Sequence, residues 1–249
     1  MAAALARGPG RNRFKPDQNL AGGLGRQSVH LPASSGVSGF FAPGRTLTFH
    51  NYHSREAYEY VAQGLVDIAL ISDHMYHPQV ETVPAFRSAM VLVTGGGVDW
   101  PDTVHPAALD PTKELRLPWN PEYDLWHAFW FSTAAVPRAV LDQMSLLEEF
   151  FSWQDNWPDS WAIVPAVVAV PLSQKLGLTL RTLKDGPADE IIYYLQGARR
   201  GENLNSAFLA CLNRELAKRP ETESLLPGDT FPTPVDILPG YESNHIDHD

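Results

Sequence analysis

The stretch "EAYEYVAQGLVDIALIS", residues 56–72, changes its hydrophobic period halfway along. From Ser54 the pattern is helical. Ser54 can cap the helix, Ala57, Tyr58, Val61 and Ala62 fall on one face, and Gly64 supplies a left-handed stop. After Gly64 the period disappears. Residues 66–72, "VDIALIS", form a continuous apolar run, which predicts a parallel strand covered on both faces. Before the helix, "RTLTFHNY" alternates Leu47 and Phe49 with Thr46 and Thr48, which predicts a strand. Residues 46–72 therefore read as one β-α-β unit with a right-handed crossover.

The same pattern continues outward. Strands are predicted at 28–33, 88–95, 114–119, 138–143, 160–165, in "LTLRTLKDG" and in "DEIIYYLQ". Helices are predicted at 123–132, 146–153 and 203–219, with a short helix or turn in "VVAVPLSQKLG". Residues 1–27 hold five basic side chains and one acid without apolar periodicity, and read as a tail. Residues 220–249 hold five prolines and seven acids with no lysine or arginine, and read as an acidic tail. Alternating helices and strands of this kind predict two α/β lobes with a ligand cleft between them.

Composition narrows the function. The chain has 249 residues, 44% of them hydrophobic, and a formal net charge of -10. That balance argues against wrapping nucleic acid with this chain alone, which needs a clustered basic face. No apolar run approaches the ~20 residues of a membrane span. The start of the chain lacks the charged and apolar regions of a secretory signal. Cys211 is the only cysteine. It fits a reducing cytoplasm, and its neighbours Phe208, Leu209 and Leu212 assign it to helix packing.

Histidine pairs flank the opening stretch: His50 with His53, and His74 with His77. Such spacing suits zinc on a helix, yet both pairs fall at strand ends and turns. They read as polar loop residues, with no metal or cofactor expected. The terminal His245, Asp247, His248 and Asp249 are chelating in type only. "TGGGVDW" at 94–100 lacks dinucleotide-fingerprint spacing and reads as a turn.

Taken in order, several segments resemble the effector-binding domain of LysR-type transcriptional regulators. They are the Gly64–Asp67–Ile71 stretch, "FRSAMVLVTGG", "HPAALDPTKELRLPW", the late segment containing Trp161 to Pro165, and "NSAFLACLNREL". The resemblance spans residues 28–219 and implies a type 2 periplasmic-binding-protein-like fold with a hinge. It places lobe I at about 28–95 and 182–219, and lobe II at about 96–181. The family's winged helix-turn-helix has no counterpart in residues 1–27, so DNA contact would need a segment absent from this chain.

The resemblance also implies a small effector, such as a carboxylate or oxyanion, a homodimer or homotetramer, and no catalysis. Ligand contacts are expected from Ser34, Ser35 and Gly36, from Ser72, Asp73 and His74, from Trp119 and Asn120, and from Asp142 and Gln143. The same hydroxyls could be caps and turn formers. Two other readings stand beside this one: a stand-alone solute-binding module of the same fold, and a metal-dependent hydrolase built on the four histidines.

Overall fold

The computed structural model describes residues 2–7, 47–96, 98–142, 144–153, 157–197 and 202–226. Helix α1, Ser54–Gln63, follows strand β2, Leu47–Tyr52, and leads into strand β3, Ile68–Ile71. Gly64 ends α1 in the left-handed conformation at φ 73°, a backbone state that favours glycine because it has no Cβ. The start of α1 differs from expectation by one residue. His53 is the N-cap and its N–H donates to the Glu56 carboxylate at 3.0 Å, while Ser54 is the first helical residue.

Strand β3 is buried along its whole length. Ala69 and Ile71 pack on Ala57, Tyr58 and Val61 of α1, and Leu70 packs on the opposite face. Two-sided burial explains the unbroken apolar run. The strand is not bonded in parallel, however. Strand β1, Ala2–Arg7, lies between β2 and β3 and is antiparallel to both. A helical crossover returns β3 in the direction of β2 and leaves room for that intervening strand. Residues 2–7 thus belong to a sheet rather than to a tail; a run of alanines has too weak a β signal to announce it.

Two strands complete the unit. Strand β4, Val80–Ser88, pairs with strand β11, Glu190–Gly197, which pairs with β3. Pro84 sits inside β4, where a proline argues against a central strand. The register shifts beside it, so that Ala85 is left without an opposite residue on β11, and the irregularity accommodates the ring. At the sheet edge, strand β12, Glu223–Ser224, pairs with β4, and Leu226 is buried. The acidic segment therefore contributes an edge strand before residue 227. Helix α5, Glu202–Leu216, covers this face with Leu209, Leu212 and Leu216, and Cys211 is buried on it.

The second lobe begins at once after β4. Strand β5, Met90–Thr94, is central to a sheet with strand β9, Trp161–Pro165, on one side. Strand β10, Thr179–Leu183, is on the other, followed by strand β6, Thr103–Val104. The expected strands at 114–119 and 138–143 shrink to β7, Leu115–Arg116, and β8, Ala139–Val140, paired in parallel. Helix α2, Pro121–Phe131, helix α3, Met144–Ser152, and helix α4, Ala166–Leu176, pack around them. Pro171 stands inside α4, which is a full helix rather than a turn.

The chain crosses between lobes at Ser88–Met90 and again between Leu183 and Glu190. The expected boundary at 95 therefore moves back to Ala89, because "SAMVLVTG" is two strands in two sheets and not one. The first crossing is tied to α4. Ala166 N–H donates to Ala89 O at 2.8 Å, and Val167 N–H donates to Ser88 Oγ at 2.9 Å. Val167 packs in the first lobe's core, whereas Ala169 and Leu172 pack in the second's.

Candidate functional site

Loops at strand ends meet where the lobes face each other. Strand β3 ends at Ile71, and Ser72, Asp73 and His74 follow it. Tyr193 of β11 pairs with Ile71, so Glu190, three residues earlier on an antiparallel neighbour, lies toward that loop. Glu190 is only 2% exposed. From the other lobe, Asn120 caps α2: its Oδ1 accepts from Tyr123 N–H at 2.8 Å. The Asn120 Nδ2 donates to Glu190 Oε2 at 2.7 Å. One short side chain thus caps a helix of one lobe and holds a buried carboxyl of the other.

The electrostatics of Glu190 follow from this position. Burial pushes its carboxyl from the ordinary 4.5 to about 7. The Asn120 hydrogen bond and the positive chain terminus pull the other way, while Glu122 and Asp73 raise it further. Glu190 Oε1 is buried and has no hydrogen-bond partner. Tyr193 stands in the same environment. Burial, then Glu122, Glu190 and Tyr58, push its hydroxyl up, and its ring lies 5.2 Å from that of His74.

Of the residues expected to bind ligand, Asn120 reaches this locus directly and Asp73 acts on it electrostatically. Ser72 and His74 flank Asp73, and His74 is drawn to Tyr193. The Trp119 indole donates to neither Asn120 nor Glu190. Its indole N–H donates to Ile163 O at 2.8 Å, and its ring packs in the second lobe's cores; a buried indole needs an acceptor, and β9 supplies one. Asp142 is exposed between β8 and α3. Ser34, Ser35, Gly36 and Gln143 lie outside the described residues.

Sequence reasoning missed Glu190, Glu122 and Tyr193. A signal for Glu190 existed. It shares the strand face of the buried Ile192 and Tyr194, so "EIIYY" places an acid at an apolar position of a period-two pattern. Trp126 of α2 donates its indole N–H to Asp185 O at 2.8 Å and anchors α2 to the second crossing. Asp185 adopts φ 55° there.

The histidines disperse over aromatic neighbours. His50 stacks on Tyr52 at 5.4 Å, and His77 lies 6.3 Å from Tyr58. No three His, Cys, Asp or Glu side chains gather as metal ligands among the described residues. A separate buried pair lies inside the second lobe, where His127 Nε2 is 2.7 Å from Glu114 Oε2. Among the described residues no helix is long and apolar enough to cross a membrane.

This arrangement, two α/β lobes joined by two crossings with polar loops between them, is the periplasmic-binding-protein-like fold of LysR-family regulatory domains. The solved structures that match include a reduced form of OxyR from N. meningitidis, with 13% identity and a TM-score of 0.53 over 70% of this chain and 82% of that one. The regulatory domain of MetR, a LysR family regulator from N. meningitidis, matches with 13% identity and a TM-score of 0.50 over 68% of this chain and 79% of its own. Its double cysteine-to-serine mutant gives the same identity and score. At that identity the likeness defines the fold. No family model matches the sequence, and no curated protein gives a significant sequence match.

Proposed function

We propose that this chain is the effector-sensing part of a LysR-type transcriptional regulator, with a small molecule held between its lobes and no catalysis of its own. The observation that carries this reading is the Asn120–Glu190 hydrogen bond, a single polar contact between a helix cap of one lobe and a buried carboxyl of the other. A ligand that enters there competes with or completes that contact, and so biases the angle between lobes. In this reading the protein works in the cytoplasm as a homodimer or homotetramer. Its DNA contact is made by a helix-turn-helix supplied by a separate segment.

Thermal unfolding of the protein against a panel of small carboxylates, oxyanions, amines and polyols tests the sensor role. A ligand that binds only the folded state at a hundred times its Kd adds about 2.7 kcal/mol. At least one compound is expected to raise the melting temperature, and Asn120→Ala is expected to change its affinity. If no compound of any charge shifted the transition, the sensing role would be rejected.

A further inference from the structure

Glu190 stands where the two crossings come together. It is the first residue of β11 after the second crossing, and its register partner on β4 is Ser88, the last residue before the first crossing. A charge at this point bears on both connections between the lobes. The carboxyl is 2% exposed. Its Oε2 accepts from Asn120 Nδ2 of the other lobe at 2.7 Å, and its Oε1 is buried without a hydrogen-bond partner.

A neutral carboxyl tolerates that setting better than a carboxylate does. One amide is thin support for a buried charge, and an ionised oxygen without a donor costs more than a neutral one. Among the described residues, no lysine or arginine pairs with Glu190. Strand β4 sets the uncharged Ser88 opposite it, and the neighbouring Arg87 is held by Glu223 at 2.6 Å and lies 4.0 Å from Asp189. The positive chain terminus favours the ionised form, whereas Glu122 of α2 and Asp73 after β3 oppose it. Burial outweighs all three and pushes the carboxyl up to about 7.

We propose that Glu190 is a proton-operated latch between the lobes: protonated, it stays under Asn120 and holds them together; ionised, it takes up water and parts them. The latch goes beyond effector sensing and needs no ligand. Asn120 is fixed to α2 through Tyr123 N–H, so it leaves Glu190 only as the second lobe moves. In the parted state the carboxyl returns to its ordinary 4.5. The joined state therefore holds a proton that the parted state releases. Its advantage is complete at low pH and is lost as pH rises through about 7. Between pH ~6 and pH ~8 the ratio of joined to parted molecules falls about tenfold.

Energy transfer between dyes on Glu59→Cys of α1 and Glu149→Cys of α3, one exposed site in each lobe, reads the interlobe distance in the full chain without ligand. Transfer is expected to fall between pH ~6 and pH ~8 with that change in ratio. With Glu190→Gln, whose amide is neutral throughout, it is expected to stay level. Asn120→Ser keeps a helix cap but loses the amide, and is expected to lower transfer at pH ~6. Transfer that ignores pH in the dye-bearing parent would overturn the proposal whatever the variants do. So would a pH response that persists in Glu190→Gln, or an Asn120→Ser chain that transfers as the parent does. No ligand is present in this experiment, so its failure leaves the sensing role to the ligand panel.

Discussion

Asn120→Ala removes two interactions through one side chain, and each has a known scale. The Oδ1 that caps α2 at 2.8 Å is lost, which costs about 1 kcal/mol for a helix N-cap. The 2.7 Å donor to Glu190 is lost as well, leaving a second buried carboxyl oxygen bare at about 1–3 kcal/mol. Together they predict a loss of about 2–4 kcal/mol in unfolding free energy. Asn120→Asp separates the two contributions. Aspartate caps a helix as well as asparagine does, but it sets a carboxylate where the amide met Glu190. Near pH ~8 both groups ionise and the loss should reach about 2 kcal/mol. Near pH ~5 one shared proton restores an O–H···O bond, and the loss should shrink below about 1 kcal/mol. Urea unfolding followed by tryptophan fluorescence, with unchanged m-values, measures both variants. An Asn120→Ala protein within about 0.5 kcal/mol of the parent, or an Asn120→Asp protein with the same deficit at both pH values, would refute the reasoning.

Glu190 also predicts the pH profile of the parent. Its folded value of about 7 lies above the ordinary 4.5, so the folded state holds a proton that the unfolded chain releases. Its contribution is complete below the lower value and is lost as pH rises through the upper one, by about 3 kcal/mol. Unfolding measured across this range should fall for the parent and be flatter for Glu190→Gln; parallel profiles would contradict it. His127→Ala leaves the buried Glu114 Oε2 without its 2.7 Å partner and should cost about 1–3 kcal/mol in thermal or urea unfolding, whereas a loss under about 0.5 kcal/mol would contradict a contribution from this contact. Gly64→Ala, at φ 73°, should cost about 1 kcal/mol without altering ligand affinity, checked by unfolding and titration together.

The parts of the fold that were legible are those whose signals are local. Helix α1 shows its face in Ala57, Tyr58 and Val61 and its stop in Gly64, and β3 shows two-sided burial in four successive apolar residues. Strand β4 was hidden by Pro84, because a bulge that excuses a proline depends on a partner strand over a hundred residues away. Strand β1 was hidden by its alanines. The lobe boundary moved because a strand pattern does not reveal that Ala89 divides two sheets. Between the lobes, Asn120 and the Ser72–His74 loop were singled out by the rule that ligands meet strand ends and helix starts, and Asn120 does join the two lobes. Glu190 was not, since its meaning depends on an amide 70 positions away. The Trp119 N–H bond to Ile163 O was not legible either, because an aromatic beside a strand end reads alike whether its N–H faces a cleft or a neighbouring carbonyl.

The Ser88 hydroxyl has a consequence for how motion would be transmitted. It receives the Val167 N–H from the first turn of α4 and donates to Glu221 O at 3.1 Å. It is therefore a pivot with an arm on each side. One arm is α4, rooted in the second lobe by Ala169 and Leu172; the other is the segment after α5 that carries β12 to the edge of the first sheet. A twist of one lobe against the other about this oxygen would carry that edge strand with it. The outer margin of the sheet, far along the chain from Asn120, would then follow the angle between the lobes.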